Sequence, residues 1–181
     1  MIPAETTLAI LGAGSLGRRL AHRAASAGFR VILEDVMPAS LRHAQEDLRQ
    51  SLGPEAMPRV TFARSIEEAV READLAVDCV PDELESKLEI FSLLDRMAPP
   101  KTVLLTPTTN LSIADLASCT YRPGQCVAVH VDATVLAQET HGAGIPVVFT
   151  AQTTESAQKL VEGFWQQLGY SPIISLDSSA V

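Results

Sequence analysis

Short apolar runs alternate with longer amphipathic stretches along nearly the whole chain, a succession that predicts strands and helices in turn. Residues 6–11 form an apolar run closed by glycine, and residues 15–27 follow with Leu16, Leu20, Ala24 and Ala27 at helical spacing. Residues 31–33 read as a second strand, and 38–52 as a second helix opened by Pro38. A third strand over 60–63 precedes a short helix whose start is marked by Ser65 and Glu68, the spacing of a capping box. Residues 75–80 read as a fully buried strand, and Leu84, Leu88, Phe91 and Leu94 make a helical stripe that stops before Pro99 and Pro100. Strands over 103–105, 126–131, 145–150 and 172–175 complete the pattern, with a short helix near 112–118 and a final helix bearing Val161, Phe164, Trp165 and Leu168. Strands and helices alternating at this density imply an α/β fold: a doubly wound, mostly parallel sheet with helices on both faces, whose ligands bind beyond the C-terminal strand ends.

Size and charge narrow the picture. The 181 residues suit a single domain, and 46% hydrophobic against 20% charged residues supplies a core without disordered tails. Fourteen Lys and Arg against 22 Asp and Glu give a net charge of −8, and no basic run is present to neutralise phosphates, so neither nucleic acid nor an acidic membrane is an expected partner. Cys79, Cys119 and Cys126 have neither a disulfide-framework nor a zinc-site spacing and read as reduced thiols. No apolar stretch reaches the ~18 residues of a spanning helix, and no basic residue precedes the first apolar run as a signal peptide requires. A cytoplasmic protein is expected.

The first turn carries the strongest chemical signal. Gly12-Ala13-Gly14-Ser15-Leu16-Gly17 is GxGxxG lying directly between a strand and a helix, the context of a Rossmann-like dinucleotide site. Gly12 permits the tight turn, and Gly14 lets the backbone approach a pyrophosphate. Ser15 and Leu16 open the helix whose free N–H groups attract it, and Gly17 lets that helix pack closely on the sheet. Asp35 ends the second strand 18 residues past Gly17, where a carboxylate accepts from an adenosine ribose and repels a 2′-phosphate, a repulsion to which Glu34 adds. NAD is therefore favoured over NADP, with nearby Arg42 leaving a small opening for the phosphate-bearing cofactor. The competing reading is a glycine-rich turn followed by a solvated acidic one.

Two further segments extend the argument. Asp74-Leu75-Ala76-Val77-Asp78-Cys79-Val80-Pro81-Asp82-Glu83-Leu84-Glu85-Ser86-Lys87 looks like a stretch written D-hydrophobic-E-A-V-P-E-x-L-x-x-K, and Thr106-Pro107-Thr108-Thr109-Asn110-Leu111-Ser112-Ile113 looks like T-N-T-S-S-L-S-I. Both stretches belong to the NAD-binding domain of the 3-hydroxyacyl-CoA dehydrogenases, enzymes of β-oxidation, which the chain resembles over nearly its whole length. His130 lies 21 residues after Thr109, at the family's catalytic histidine. The resemblance implies an NAD-dependent oxidoreductase acting on an acyl-CoA. In it His130 is the general base, the Thr109 hydroxyl holds the substrate oxygen, a carboxylate orients the histidine, and Asp82 and Lys87 lie by the cofactor. It also implies an all-helical domain that completes the substrate cleft and supplies dimer contacts. A homo-oligomer or a helical-domain partner is thus expected, with little turnover from the present chain alone.

The departures concern chemistry more than fold. His130-Val131-Asp132-Ala133-Thr134 stands where the family has H-F-F-N-P, Gly142 occupies the place of its glutamate, and Pro107 and Ala133 replace two asparagines. Glu139, by a loop shift, and Asp132, by sharing a strand face with His130, are the remaining carboxylates. A second reading therefore stays open, a non-catalytic dinucleotide-binding module or degenerate dehydrogenase relative. Ordinary structural roles compete as well: an interior, hydrogen-bonded His130, an Asp82–Glu85 helix cap, a solvated Lys87 and a turn hydroxyl at Thr109. Cys79 reads as core, Ser112 with Asp115 as a cap, and His22, His43 and His141 as surface or packing residues.

Overall fold

A computed structural model describes residues 6–138 and 141–177. In chain order it consists of β1 (Thr7–Leu11), α1 (Ser15–Ser26), β2 (Arg30–Glu34), α2 (Pro38–Ser51), β3 (Val60–Phe62), α3 (Ile66–Val70), β4 (Leu75–Asp78), α4 (Leu84–Met97), β5 (Val103–Pro107), α5 (Ile113–Ala117), β6 (Cys126–Val129), α6 (Ala133–Ala137), β7 (Gly144–Phe149), α7 (Glu155–Gln167) and β8 (Ser171–Leu176). The strands form one sheet in the order β3-β2-β1-β4-β5-β6-β7-β8. Every neighbour pair is parallel except β6 with β7. The chain leaves β1 toward β2 on one side and later returns to its other side as β4, so a crevice opens where the strand order reverses.

Period-two alternation along the strands builds two apolar layers. Leu8, Ile10, Val31 and Leu33 face α1, α2 and α7, whereas Ala9, Ala76, Leu104 and Ala128 face α3, α4 and α5. Both layers are closed at 0–1% exposure over the central strands, the burial that parallel sheets require. Phe164 anchors α7 against Phe29 of the α1–β2 turn with ring centroids 5.2 Å apart, and its neighbour Trp165 packs on Tyr170 at 5.8 Å. Each buried ring contributes about 1.5–3 kcal/mol. Ser65 and Ser112 cap α3 and α5 through the N–H groups of Glu68 and Asp115, as their spacing predicts.

Two strands end two residues earlier than the sequence reading has them, and one helix is new. β4 stops at Asp78 rather than at residue 80, and β6 stops at Val129 rather than at 131. The apolar residues beyond each end, Cys79-Val80 and Val131, are loop side chains turned toward the crevice. α6 has no counterpart in the sequence reading, which takes its N-cap, Asp132, as sharing a strand face with His130.

Candidate functional site

A cleft of about 990 Å³ lies over the C-terminal ends of β1, β2, β4 and β5. Its floor is the glycine turn. Gly12 has φ +112°, and a Cβ there would sit 2.7 Å from the Cys79 carbonyl oxygen, so conformation and space both demand glycine. A Cβ on Gly17 would lie 1.8 Å from the Gly12 carbonyl oxygen, so this residue sets how closely α1 meets the sheet. Around Gly14 there is open space. Gly14 is the N-cap of α1, with no side-chain cap and no acidic residue in the first turn, and Gly14, Ser15 and Leu16 all line the cleft. The first N–H groups of α1 are thus left for a bound group, and their chemistry fits an anion such as a pyrophosphate.

Asp35 stands at the neighbouring rim. Its Oδ2 accepts from the Ala13 N–H and its Oδ1 from the Met37 N–H, each at 2.7 Å, which fixes the carboxylate beside the turn. Two oxygens with about four acceptor positions keep capacity for ribose hydroxyls. Glu34, also lining the cleft, is buried, and burial followed by the charge of Asp35 pushes its carboxyl above the ordinary value. Two adjacent acids make this rim hostile to a 2′-phosphate.

Asp82 and Thr109 meet on the opposite wall. The carboxylate accepts from the Thr109 N–H at 2.9 Å and from its hydroxyl at 3.1 Å, bridging the β4–α4 and β5–α5 loops. Asp82 is therefore not part of a helix cap with Glu85: the N-cap of α4 is Glu83, whose side chain caps nothing. Partial burial raises the Asp82 carboxyl, but hydrogen bonds from Thr108 and Thr109 and the charge of Lys87 outweigh it and hold the group below the usual carboxylate value. A carboxylate with a lowered folded pKa adds stability above its unfolded pKa and loses it as pH falls through the folded one. The stability difference between wild type and Asp82→Asn is thus expected to be present at neutral pH and to disappear in acid, as read by thermal unfolding at stepped pH.

Lys87 does not line the cleft. Its side chain is 1% exposed and its ammonium lies 2.6 Å from Asp78 Oδ1, itself 0% exposed, so it is not a solvated helix residue, and it stands behind the cleft wall, next to cleft-lining Ser86, rather than on its surface. Geometry explains this: Lys87 lies near the start of α4, directly above the end of β4, and its stem reaches down to the last strand residue. Burial pushes the Asp78 carboxyl up, opposed by the Lys87 charge. The pair lies next to Cys79, the residue on which Gly12 rests, and burial also raises the Cys79 thiol.

His130 is exposed at the end of β6, not interior. Its N–H donates to the Pro146 carbonyl at 2.9 Å, so the residue facing it on β7 is a proline. Among the described residues no hydrogen bond or ion pair joins its ring to a carboxylate. Asp132 does not share a strand face with it, because Asp132 Oδ1 caps α6 through the N–H groups of Thr134 and Val135 at 2.8 and 2.9 Å. Gly142 sits in a turn at φ +77°, and Glu139 lies outside the described residues. The cleft thus brings together Gly12, Gly14, Ser15, Leu16, Asp35, Asp82 and Thr109, with Val131 and Ala133 following His130 into its wall, and leaves out Gly17, Lys87 and His130 itself.

A second groove, of about 890 Å³, went unread in the sequence. Arg18, Arg19, His22 and His43 line it with His141, and Asp47 is its one acid. Arg23 also lines it, donating to the carbonyls of Leu136 and Gln138 and stacking on Tyr170, and Arg18 pairs with Asp47 at 3.9 Å. The signal was present as the i, i+4 pair Arg18 and His22 on α1, but only the packing of α1 against α2 brings His43 to the same wall.

Comparison with known proteins agrees with this geometry. The chain is 31% identical over 134 residues to a probable 3-hydroxybutyryl-CoA dehydrogenase of Bacillus subtilis, covering 67% of this chain and 46% of that protein. It is 27% identical over 180 residues to an L-carnitine dehydrogenase of a Pseudomonas species, covering 92% and 54%. It therefore spans about half the length of these relatives. A crystal structure of (S)-3-hydroxybutyryl-CoA dehydrogenase from Ralstonia eutropha superposes with a TM-score of 0.85 at 21% identity, over 96% of this chain and 64% of that one, a likeness of fold. The family model for the 3-hydroxyacyl-CoA dehydrogenase NAD-binding domain matches residues 7–178, and with the uncapped glycine turn and Asp35 sharing one cleft, the chain belongs to that family.

Proposed function

We propose that this chain is the dinucleotide-binding domain of an NAD-dependent 3-hydroxyacyl-CoA dehydrogenase, and that it turns over only when a second, helical wall closes the substrate side. The observation that carries this reading is the α1 N-terminus, free of any capping acid, opening into the same cleft as Asp35. NAD, when bound, supplies the hydride acceptor. Glycine-turn N–H groups would hold its pyrophosphate, Asp35 its adenosine ribose, and the Asp82-braced Thr109 loop its other end. His130 would take the hydroxyl proton of a secondary alcohol. The basic groove, which shares Ser15 with the cleft, suits the phosphates of an acyl-CoA. Three free thiols and, among the described residues, no helix long and apolar enough to cross a membrane are compatible with the cytoplasm.

NADH titration followed by acetoacetyl-CoA, with absorbance of the reduced nicotinamide recorded, tests the reading. Binding with consumption of NADH, lost in His130→Gln, supports it in full, and unchanged turnover in His130→Gln removes the base assignment. Arg19→Glu is expected to weaken acyl-CoA and leave NADH affinity unchanged, and equal affinities for acyl-CoA would exclude the groove. A second reading, a binding module without turnover, is favoured by the proline opposite His130 and by the absence of a carboxylate on its ring among the described residues. Binding of NADH without consumption, even with a helical domain from a relative added, would decide for it.

A further inference from the structure

β8 ends the sheet on the side remote from β3, and among the described residues its outer edge pairs with nothing. On its inner edge the N–H groups of Ser171 and Asp177 donate to Ala143 and Phe149 carbonyls, both at 2.8 Å. Polar groups alternate in direction along a strand, so odd-numbered positions point toward β7 and Pro172, Ile174 and Leu176 point outward. Proline lacks an N–H, which leaves outward donors at Ile174 and Leu176 and outward acceptors at all three. Natural edges are ordinarily guarded by charge, lysine above all. Residues 171–176 carry none, and Ile173, Ile174 and Leu176 are 58%, 44% and 67% exposed.

We propose that this edge pairs with the same edge of a second copy of the chain, antiparallel about a two-fold axis through Ile174, so that one sheet runs through both molecules. In that register the two Ile174 residues exchange reciprocal hydrogen bonds, and each Leu176 N–H reaches the Pro172 carbonyl of the other copy. The missing Pro172 N–H leaves only the Leu176 carbonyl, at the outer end, to water. On one face Ile174 packs on its own copy and Leu176 on Pro172, and on the other Ile173 packs on Ser175. Charge selects the occupant. In a molecule of net charge −8, an uncharged strand is where two copies approach with least repulsion, and the contact is self-complementary as two-fold symmetry demands. A single strand pair falls below the roughly 1,200 Å² of a standard interface, so association in the micromolar range is expected.

Sedimentation of the 181-residue chain from low to high micromolar concentration tests this, the mass rising from 19.4 kDa toward twice that value. Ile174→Pro removes the central donor while sparing the ladder to β7, since that N–H points outward. Ile174→Lys sets like charges across the axis. Both variants are expected to remain monomeric with unchanged circular dichroism, and in the wild type exchange of the Ile174 and Leu176 amides slows as concentration rises. A wild type monomeric throughout overturns the proposal. So does a dimer that both folded variants preserve, or amide exchange at these positions that ignores concentration, since each places the contact elsewhere.

Discussion

Gly17→Ala is expected to weaken NADH binding well over tenfold and to lower stability by about 3 kcal/mol or more. The added methyl would lie 1.8 Å from the Gly12 carbonyl oxygen, a backbone atom that cannot rotate aside. Overpacking of a well-filled site costs about 1–3 kcal/mol even where side chains can adjust, and here α1 must move off the sheet. Moving α1 carries Gly14, Ser15 and Leu16 away from the cleft, so affinity falls well over tenfold. Gly14→Ala supplies the contrast. Its Cβ meets nothing within 4 Å and its backbone is ordinary for an L-residue, so the variant should unfold like the wild type yet bind NADH poorly, because the methyl occupies the space a phosphate would approach. Fluorescence titration with urea unfolding of the two variants separates the roles, and a Gly14→Ala protein that binds normally would take the pyrophosphate away from this turn.

Lys87→Met is expected to be the other severe change. It strands the Asp78 carboxylate at 0% exposure, and breaking one side of a buried pair costs about 3–5 kcal/mol. Replacing both partners, with Leu at 78 and Met at 87, should recover much of the loss, since what is costly is the uncompensated charge rather than the missing attraction. The pH dependence follows from the direction of the Asp78 shift. Burial raises its folded pKa, more so without Lys87, and a raised acid is penalised only when ionised. The deficit of Lys87→Met should therefore be small in acid and grow as pH rises through the folded pKa that Asp78 has beside Lys87, levelling off above the higher one it has without it. Urea unfolding across pH measures it, and a deficit independent of pH would mean that Asp78 stays protonated in both proteins.

How much of this was legible in the sequence differs by element. The strands and helices of the glycine-turn half follow from period and caps, and Gly12, Gly14 and Asp35 lie in the cleft where spacing put them, as does Thr109, which only the family resemblance singled out. Strand ends were overrun at Cys79-Val80 and at Val131 because cleft-lining loop residues are as apolar as strand residues. The reversal of β7 against β6 was not legible, since alternation encodes which face a residue takes and not which way the strand runs. Lys87 illustrates the limit best. A lysine on a helix reads as solvated, and only the strand–turn–helix geometry brings it within 2.6 Å of a carboxylate nine residues earlier. The histidines His22 and His43 gained a common wall in the same way, through the packing of two helices.

Ser15 borders both the cleft and the basic groove, at the first residue of α1. A dinucleotide in one and an anionic thioester carrier in the other would stand as neighbouring polyanions across a single helical turn. Their mutual repulsion works against simultaneous occupancy, while Arg18 and Arg19, one turn along, screen it. The order in which two ligands load, and how far the first weakens the second, is then a property of this one helix end, to be tuned by the charge at positions 18 and 19 without altering any atom that reacts.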